Sequence, residues 1–214
     1  MNNINGIREE AEKWMMLLSG KEKKAIFEYT LEKENSLYDR INNHLRGIKE
    51  DSEVDYYIKL IDLALSKFNL KDDIEVYRAE ATGFNIVGEK YNEEEISIED
   101  IIETYKYVEN FKIYKNYIST SICKNIALDY INNYLSKRYP NKFYLFIEGI
   151  LKSNSSCGYI KSLSNFQSEE ELLIMRNKKF LISEVSKFSN EVIKLKGNFV
   201  ELEESIWESY FGEM

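Results

Sequence analysis

Three consecutive carboxylates, Glu169, Glu170 and Glu171, lie between a polar loop, Ser162 to Ser168, that holds one aromatic, Phe166, and the apolar run Leu172 to Met175. Alternate residues of an extended chain share a face, so Glu169 and Glu171 are expected to point one way and Glu170 the other. Two carboxylates at the mouth of a strand suit general acid–base work or the steadying of a cation in a cleft. A charged loop that only keeps the surface wet is the competing reading, because 37 acids in 214 residues produce a triplet about once by chance. A second triplet supplies the comparison. Glu93, Glu94 and Glu95 precede Ile96-Ser97-Ile98-Glu99-Asp100, which reads as a solvated helix start with its acids near the N-terminus.

Two other features favour chemistry at the later triplet. Tyr117-Ile118-Ser119-Thr120-Ser121-Ile122 sets three hydroxyls in an otherwise apolar strand, where each buried hydroxyl needs a partner and a carboxylate would serve. Arg78 closes the alternating run from Ile74 and either pairs with an acid or holds an anion such as phosphate. Other sites fail. The single histidine, His44, falls in a helical run with no Gly-x-Ser-x-Gly elbow in the chain, so a surface or helix-packing role is expected. Cys123 and Cys157 lack metal or redox spacing, and no metal site is expected. Gly83 to Lys90 has Glu89 where a phosphate loop needs its lysine, and no Gly-x-Gly-x-x-Gly opens a helix.

These residues must be carried by two textures of chain. From about Ile7 to Lys67 apolar residues recur at helical spacing (Trp14, Leu17, Leu18; Leu37, Ile41, Leu45; Tyr57, Leu60, Ile61, Ala64), which predicts three or four helices. The period changes near Asp73, and strands are expected from Ile74, at Tyr117 to Ile122, Lys142 to Leu151, Gly158 to Lys161, Leu172 to Met175, Phe180 to Val185 and Val192 to Val200. Helices fit Ser97 to Tyr107 and Lys124 to Ser136. One proline, nine glycines and no Ser/Gly-rich linker argue for a single domain over residues 1–214, helical to about 70 and strand-rich from about 71: an α+β protein.

Composition sets the outer limits. A chain with 43% hydrophobic and 14% aromatic residues can bury a real core, and a net charge of −8 argues against a general nucleic-acid binder. No run reaches membrane-span length, and Met1 to Met15 carries Arg8, Glu9, Glu10, Glu12 and Lys13 in place of an apolar core, so no secretion signal is read in this chain.

Taken in order, Val76-Tyr77-Arg78, Ser119-Thr120-Ser121 and Phe166-x-x-Glu169-x-Glu171-Leu172-Leu173 resemble the mono-ADP-ribosyltransferase toxins of the arginine, STS and ExE type. Tyr29-Thr30 and Tyr38-x-x-Ile41-Asn42-x-x-Leu45-Arg46 resemble the family's upstream helices, so the likeness runs from about Trp14 to Val200. Among the subgroups, the enzymatic components of clostridial and bacillary binary toxins that modify actin are the nearest, since the Rho-modifying exoenzymes carry Gln where Glu169 stands. Ala79 and Glu80 depart from the family's commoner small or basic residues after the arginine, and the stretch Lys124 to Tyr139 is longer than the family pattern suggests.

The resemblance implies N-terminal helices packed on a mixed, mainly antiparallel two-sheet β core, NAD as substrate and no metal. It implies a secreted bacterial toxin that acts in the host cytosol on a host protein, actin, with a translocation component as a further partner. It assigns Glu171 to the nicotinamide ribose with Ser119 orienting it, and Glu169 to the acceptor guanidinium. Arg78 falls on a phosphate; Asn42 and Tyr38 on the phosphate and adenosine side; Arg138 on a phosphate; Thr120 and Ser121 around the cofactor site; and Phe166 on substrate recognition. Because Gln167-Ser168-Glu169 is itself a Gln-x-Glu, a second register exists. Glu171 is preferred as the catalytic residue because the apolar strand starts directly after it.

Overall fold

The computed structural model describes residues 4–82, 97–107, 110–140 and 142–202. The phosphate-loop candidate at Gly83 to Lys90 and the triplet Glu93 to Glu95 lie outside the described residues.

Four helices open the chain, at the upper end of the three or four expected. They are α1 (Ile4–Leu17), α2 (Gly20–Tyr29), α3 (Leu37–Leu45) and α4 (Asp55–Leu65). Ser19 starts α2 through a capping box, its hydroxyl accepting from Glu22 N at 3.3 Å while the Glu22 carboxylate accepts from Ser19 N at 2.6 Å. Ser36 caps α3 more simply, its hydroxyl accepting from Asp39 N at 3.1 Å. Each helix buries one stripe, and the Trp14 indole donates to Ala64 O at 2.7 Å to tie α1 to α4. Gly158 admits that tie: a Cβ there would stand 2.8 Å from both Leu65 and Trp14. His44 closes α3 as a packing residue, its Nδ1 accepting from Asp51 N and its Nε2 facing Asp55.

The strands are β1 (Ile74–Ala81), β2 (Phe111–Tyr114), β3 (Ile118–Ser121), β4 (Tyr144–Leu151), β5 (Cys157–Tyr159), β6 (Glu171–Ile174), β7 (Lys178–Lys187) and β8 (Val192–Glu201). Helix α5 (Ile98–Tyr107) precedes β2, and α6 (Lys124–Tyr130) runs through a π-helical segment, Ile131–Leu135, into α7 (Ser136–Arg138). All seven expected strands are found, with ends shifted by one or two residues from β3 to β8, and β2 is additional.

The sheet is mixed and mainly antiparallel, as expected: β4 and β8 pair in parallel and every other ladder is antiparallel. The expected division into two sheets is not confirmed. One ladder runs β2-β7-β8-β4-β1-β3-β6-β5, and β1 meets β3 at a single registered pair, Tyr77 with Ser121. This ladder is not flat. Laid flat, β2 and β3 would lie about 24 Å apart, five spacings of about 4.8 Å, whereas the four steps from Tyr114 to Ile118 reach at most about 14 Å. The sheet therefore folds over so that β2 returns beside β1. One apolar cluster joins the helical stripes to the inner faces of the strands, and a smaller one of Ala127, Ile131, Leu135, Tyr144, Phe146 and Val192 seats α6 and its π extension on the other side.

Candidate active site

The strand pair β3–β6 is the floor of the site, and its register sets Ser119 opposite Leu173 and Ser121 opposite Glu171. The three hydroxyls find partners in three different ways. Ser119 hydrogen-bonds the Glu171 carboxyl. Thr120 donates to Leu172 O at 2.6 Å, and Ser121 donates to Glu169 O at 2.7 Å. Ile122 N also donates to Glu170 O, so the end of β3 clamps the backbone of the acidic turn. Thr120 and Ser121 thus spend their hydroxyls on the backbone, while Ser119 meets a functional side chain.

The acidic triplet takes its geometry from a turn and not from strand pleating. Gln167–Glu169 form a 3-10 turn, Glu170 is left-handed at φ +47°, and Glu171 is the first residue of β6. That left-handed residue turns the Glu170 side chain outward, where Arg8, Tyr159 and Lys161 donate to its carboxylate. Glu170 thus faces away from its neighbours, as the sequence suggested, by another cause. The strand was also expected to start after Glu171; it starts with it and leaves its side chain only 5% exposed.

Burial pushes the Glu171 carboxyl up to about 7, against the pull of the Ser119 hydrogen bond; the charge of Glu169 adds to the rise and Arg78 opposes it. Glu169 is partly buried, and burial, with Glu32 nearby, raises it too. The two carboxyls and the guanidinium therefore share one electrostatic neighbourhood.

Arg78 pairs with an acid, Glu80, whose Oε1 accepts from Nε at 2.6 Å, and Nη1 donates to Ser119 O at 2.6 Å; the two contacts engage Nε and Nη1. Helices α2 and α3 bring the opposite wall. Tyr29, 1% exposed, lies in the field of Tyr38, Glu171 and Arg78, with its hydroxyl 3.4 Å from Asn42 Oδ1. Asn42 is buried and its Nδ2 is an orphan, a donor with no hydrogen-bond partner among the described residues, so the site holds a polar group that a ligand could satisfy. Tyr38 is partly buried against the Tyr29 ring, centroids 5.2 Å apart. The loop carrying Phe166 is tied down by Asn165 N donating to the Thr30 hydroxyl at 3.0 Å.

Arg138 is the least engaged with this centre. Its guanidinium stacks over Tyr134 and Tyr139 and donates to the Tyr134 hydroxyl. Four positions were not singled out from sequence. Tyr29 was visible only as part of a motif, and Glu80 only as a departure. Lys112 sits on the strand that was not expected. Tyr130, stacked on Tyr134 at 4.8 Å and within the field of Tyr38, Arg78 and Glu169, could have been found from the i, i+4 spacing of Tyr130, Tyr134 and Arg138.

The family model described as ADP-ribosyltransferase exoenzyme matches residues 7–202. The chain is 28% identical over 180 residues to an NAD(+)–arginine ADP-ribosyltransferase of Enterococcus faecalis; the match takes in 82% of this chain and 31% of that protein, about a third of the relative's length. The solved structure of Plx2a, an ADP-ribosyltransferase toxin from Paenibacillus larvae, superposes with a TM-score of 0.70 at 25% identity, covering 92% of this chain and 94% of that one. An ADP-ribosyltransferase from Clostridium botulinum superposes with a TM-score of 0.68 at 20% identity, over 92% and 96% of the two chains, which speaks for the fold alone.

Proposed function

Since the chain belongs to the ADP-ribosyltransferase exoenzyme family, we propose that it transfers ADP-ribose from NAD to an arginine of a host protein, with actin as the acceptor. The observation that carries the reading is the buried Glu171 carboxyl, hydrogen-bonded by Ser119 and sharing its field with Glu169 and Arg78. Loss of nicotinamide breaks the bond from ribose C1′ to the ring nitrogen, whose electron pair leaves with nicotinamide, and the ribose passes through an oxocarbenium-like state. Ionised Glu171 steadies that cation. A guanidinium nitrogen of the acceptor then bonds C1′ and gives up a proton, which Glu169 helps remove, because free guanidinium stays protonated at physiological pH. Arg78 holds a phosphate. The orphan Asn42 amide and Tyr38 serve the phosphate and adenosine side, and Phe166 serves acceptor recognition. Thr120 and Ser121 brace the turn, and Arg138 enters this reading through the resemblance alone.

Arginine as the acceptor is supported by the name of the Enterococcus relative. Actin is supported by Glu169, at the position where the Rho-modifying exoenzymes carry Gln. Secretion, action in the host cytosol and a translocation partner belong to the same reading. Incubation with labelled NAD and a eukaryotic lysate tests it: a labelled band matching purified actin is expected. Label on a small GTPase, or release of free ADP-ribose without protein labelling, would overturn the acceptor assignment.

The active form of Glu171 is the ionised one and its carboxyl sits at about 7, so kcat/KM for NAD hydrolysis should rise with pH through that value. The loss from pH 8.5 to pH 5.5 is expected to be about 30-fold, and a rate flat across this window would remove Glu171 from the role. Arg78→Ala should weaken NAD binding by roughly 10- to 100-fold, the worth of a charged hydrogen bond. Glu80 keeps Lys112 and Tyr114 in that variant, so its melting temperature should fall by only a few degrees. Calorimetric titration with NAD on the folded variant decides it.

A further inference from the structure

We propose that Glu80 is the positioning residue for Arg78, fixing the guanidinium for a phosphate of NAD; this rests on the function proposed above. Arg78 and Glu80 are two apart on β1 and share a face. Both oxygens of the Glu80 carboxylate are engaged: Oε1 accepts from Arg78 Nε at 2.6 Å and from the Tyr114 hydroxyl at 2.9 Å, and Oε2 accepts from Lys112 Nζ at 2.5 Å. All three charged side chains are less than one-fifth exposed. With Nη1 held by Ser119 O, the planar guanidinium is pinned at two points and cannot swing out of the cleft.

The charge count explains why a carboxylate is needed. Two cations, Arg78 and Lys112, flank one anion, so the cluster keeps an excess positive charge that suits a phosphate. Burial would raise the Glu80 carboxyl, but Lys112 and Arg78 outweigh it and hold it far below the usual carboxylate range, so it is ionised throughout the working pH range. Without it, two like charges would face each other in a confined space and Arg78 would lose its Nε anchor. The device also depends on the folded-over sheet, because Lys112 and Tyr114 reach Glu80 only once β2 returns beside β1.

Steady-state nicotinamide release and calorimetric NAD titration on Glu80→Gln, Glu80→Asp and the double variant Glu80→Gln/Lys112→Met test the proposal. The double variant removes one charge of each sign and so guards against simple unfolding of the single one. Glu80→Gln and the double variant should raise KM and Kd for NAD by about tenfold or more with kcat within about threefold, and Glu80→Asp should recover most of the affinity. A merely structural role would lower the melting temperature and leave KM unmoved. Folded Glu80→Gln or double variant with KM within about twofold of wild type would overturn the proposal. Wild-type protein that neither binds nor hydrolyses NAD would remove the underlying function as well, which separates the two failures.

Discussion

Glu171→Gln is expected to lose NAD hydrolysis and protein labelling together, each by on the order of 10³-fold, because it deletes the charge facing the developing ribose cation. The same variant should be more stable than wild type at pH 8. The carboxyl is raised from its ordinary value of 4.5 to about 7 by burial, so the folded state resists its ionisation. Below pH 4.5 both folded and unfolded forms are protonated and nothing is lost. Between 4.5 and 7 the unfolded chain ionises first and stability drains away, reaching about 3 kcal/mol above pH 7. Glutamine carries no such charge and can still accept from Ser119. Thermal melts at pH 8 and pH 4 should therefore show a gain that disappears in acid, and near-normal turnover by the variant would reject the catalytic assignment.

Glu169→Gln should separate two activities that Glu171→Gln abolishes jointly. If Glu169 only orients and deprotonates the guanidinium, transfer to arginine falls by roughly 10²-fold or more, while hydrolysis by water stays within about threefold. The rival register, with Glu169 at the ribose and Gln167 at the acceptor, predicts the reverse: both activities collapse in Glu169→Gln and Glu171→Gln is tolerated. Glu170→Gln is the control, since its carboxylate turns outward to Arg8, Tyr159 and Lys161. Loss of that largely surface network should cost about 1 kcal/mol of stability and leave both activities intact. Nicotinamide release and protein labelling, measured side by side for the three variants, decide the register.

Much of the scaffold could be read without coordinates, for reasons visible in particular residues. Leu37, Ile41 and Leu45 mark α3, and Tyr57, Leu60, Ile61 and Ala64 mark α4, because helical spacing is a local property of the chain. The all-but-continuous apolar run of β4 marks a strand covered on both faces. The hydroxyls of Ser119, Thr120 and Ser121 signalled polar partners inside a strand, and the need was real although only Ser119 took a carboxylate.

Order along the chain, period and residue type thus determined the α+β architecture and the strands carrying Arg78 and Ser119, since each of these rests on contacts within a few residues, whereas the acidic triplet was legible as residues and its turn was not. Tertiary structure alone decided which groups meet. Tyr29, with Asn42 beside its hydroxyl, comes into the field of Glu171 and Arg78 only when the helices pack on the strands. Lys112 reaches Glu80 only because a continuous sheet folds back on itself. The rise in the Glu171 carboxyl is of the same kind. Its cause is burial, a property of everything packed around the residue, and no spacing in the sequence encodes how much water the finished fold leaves there.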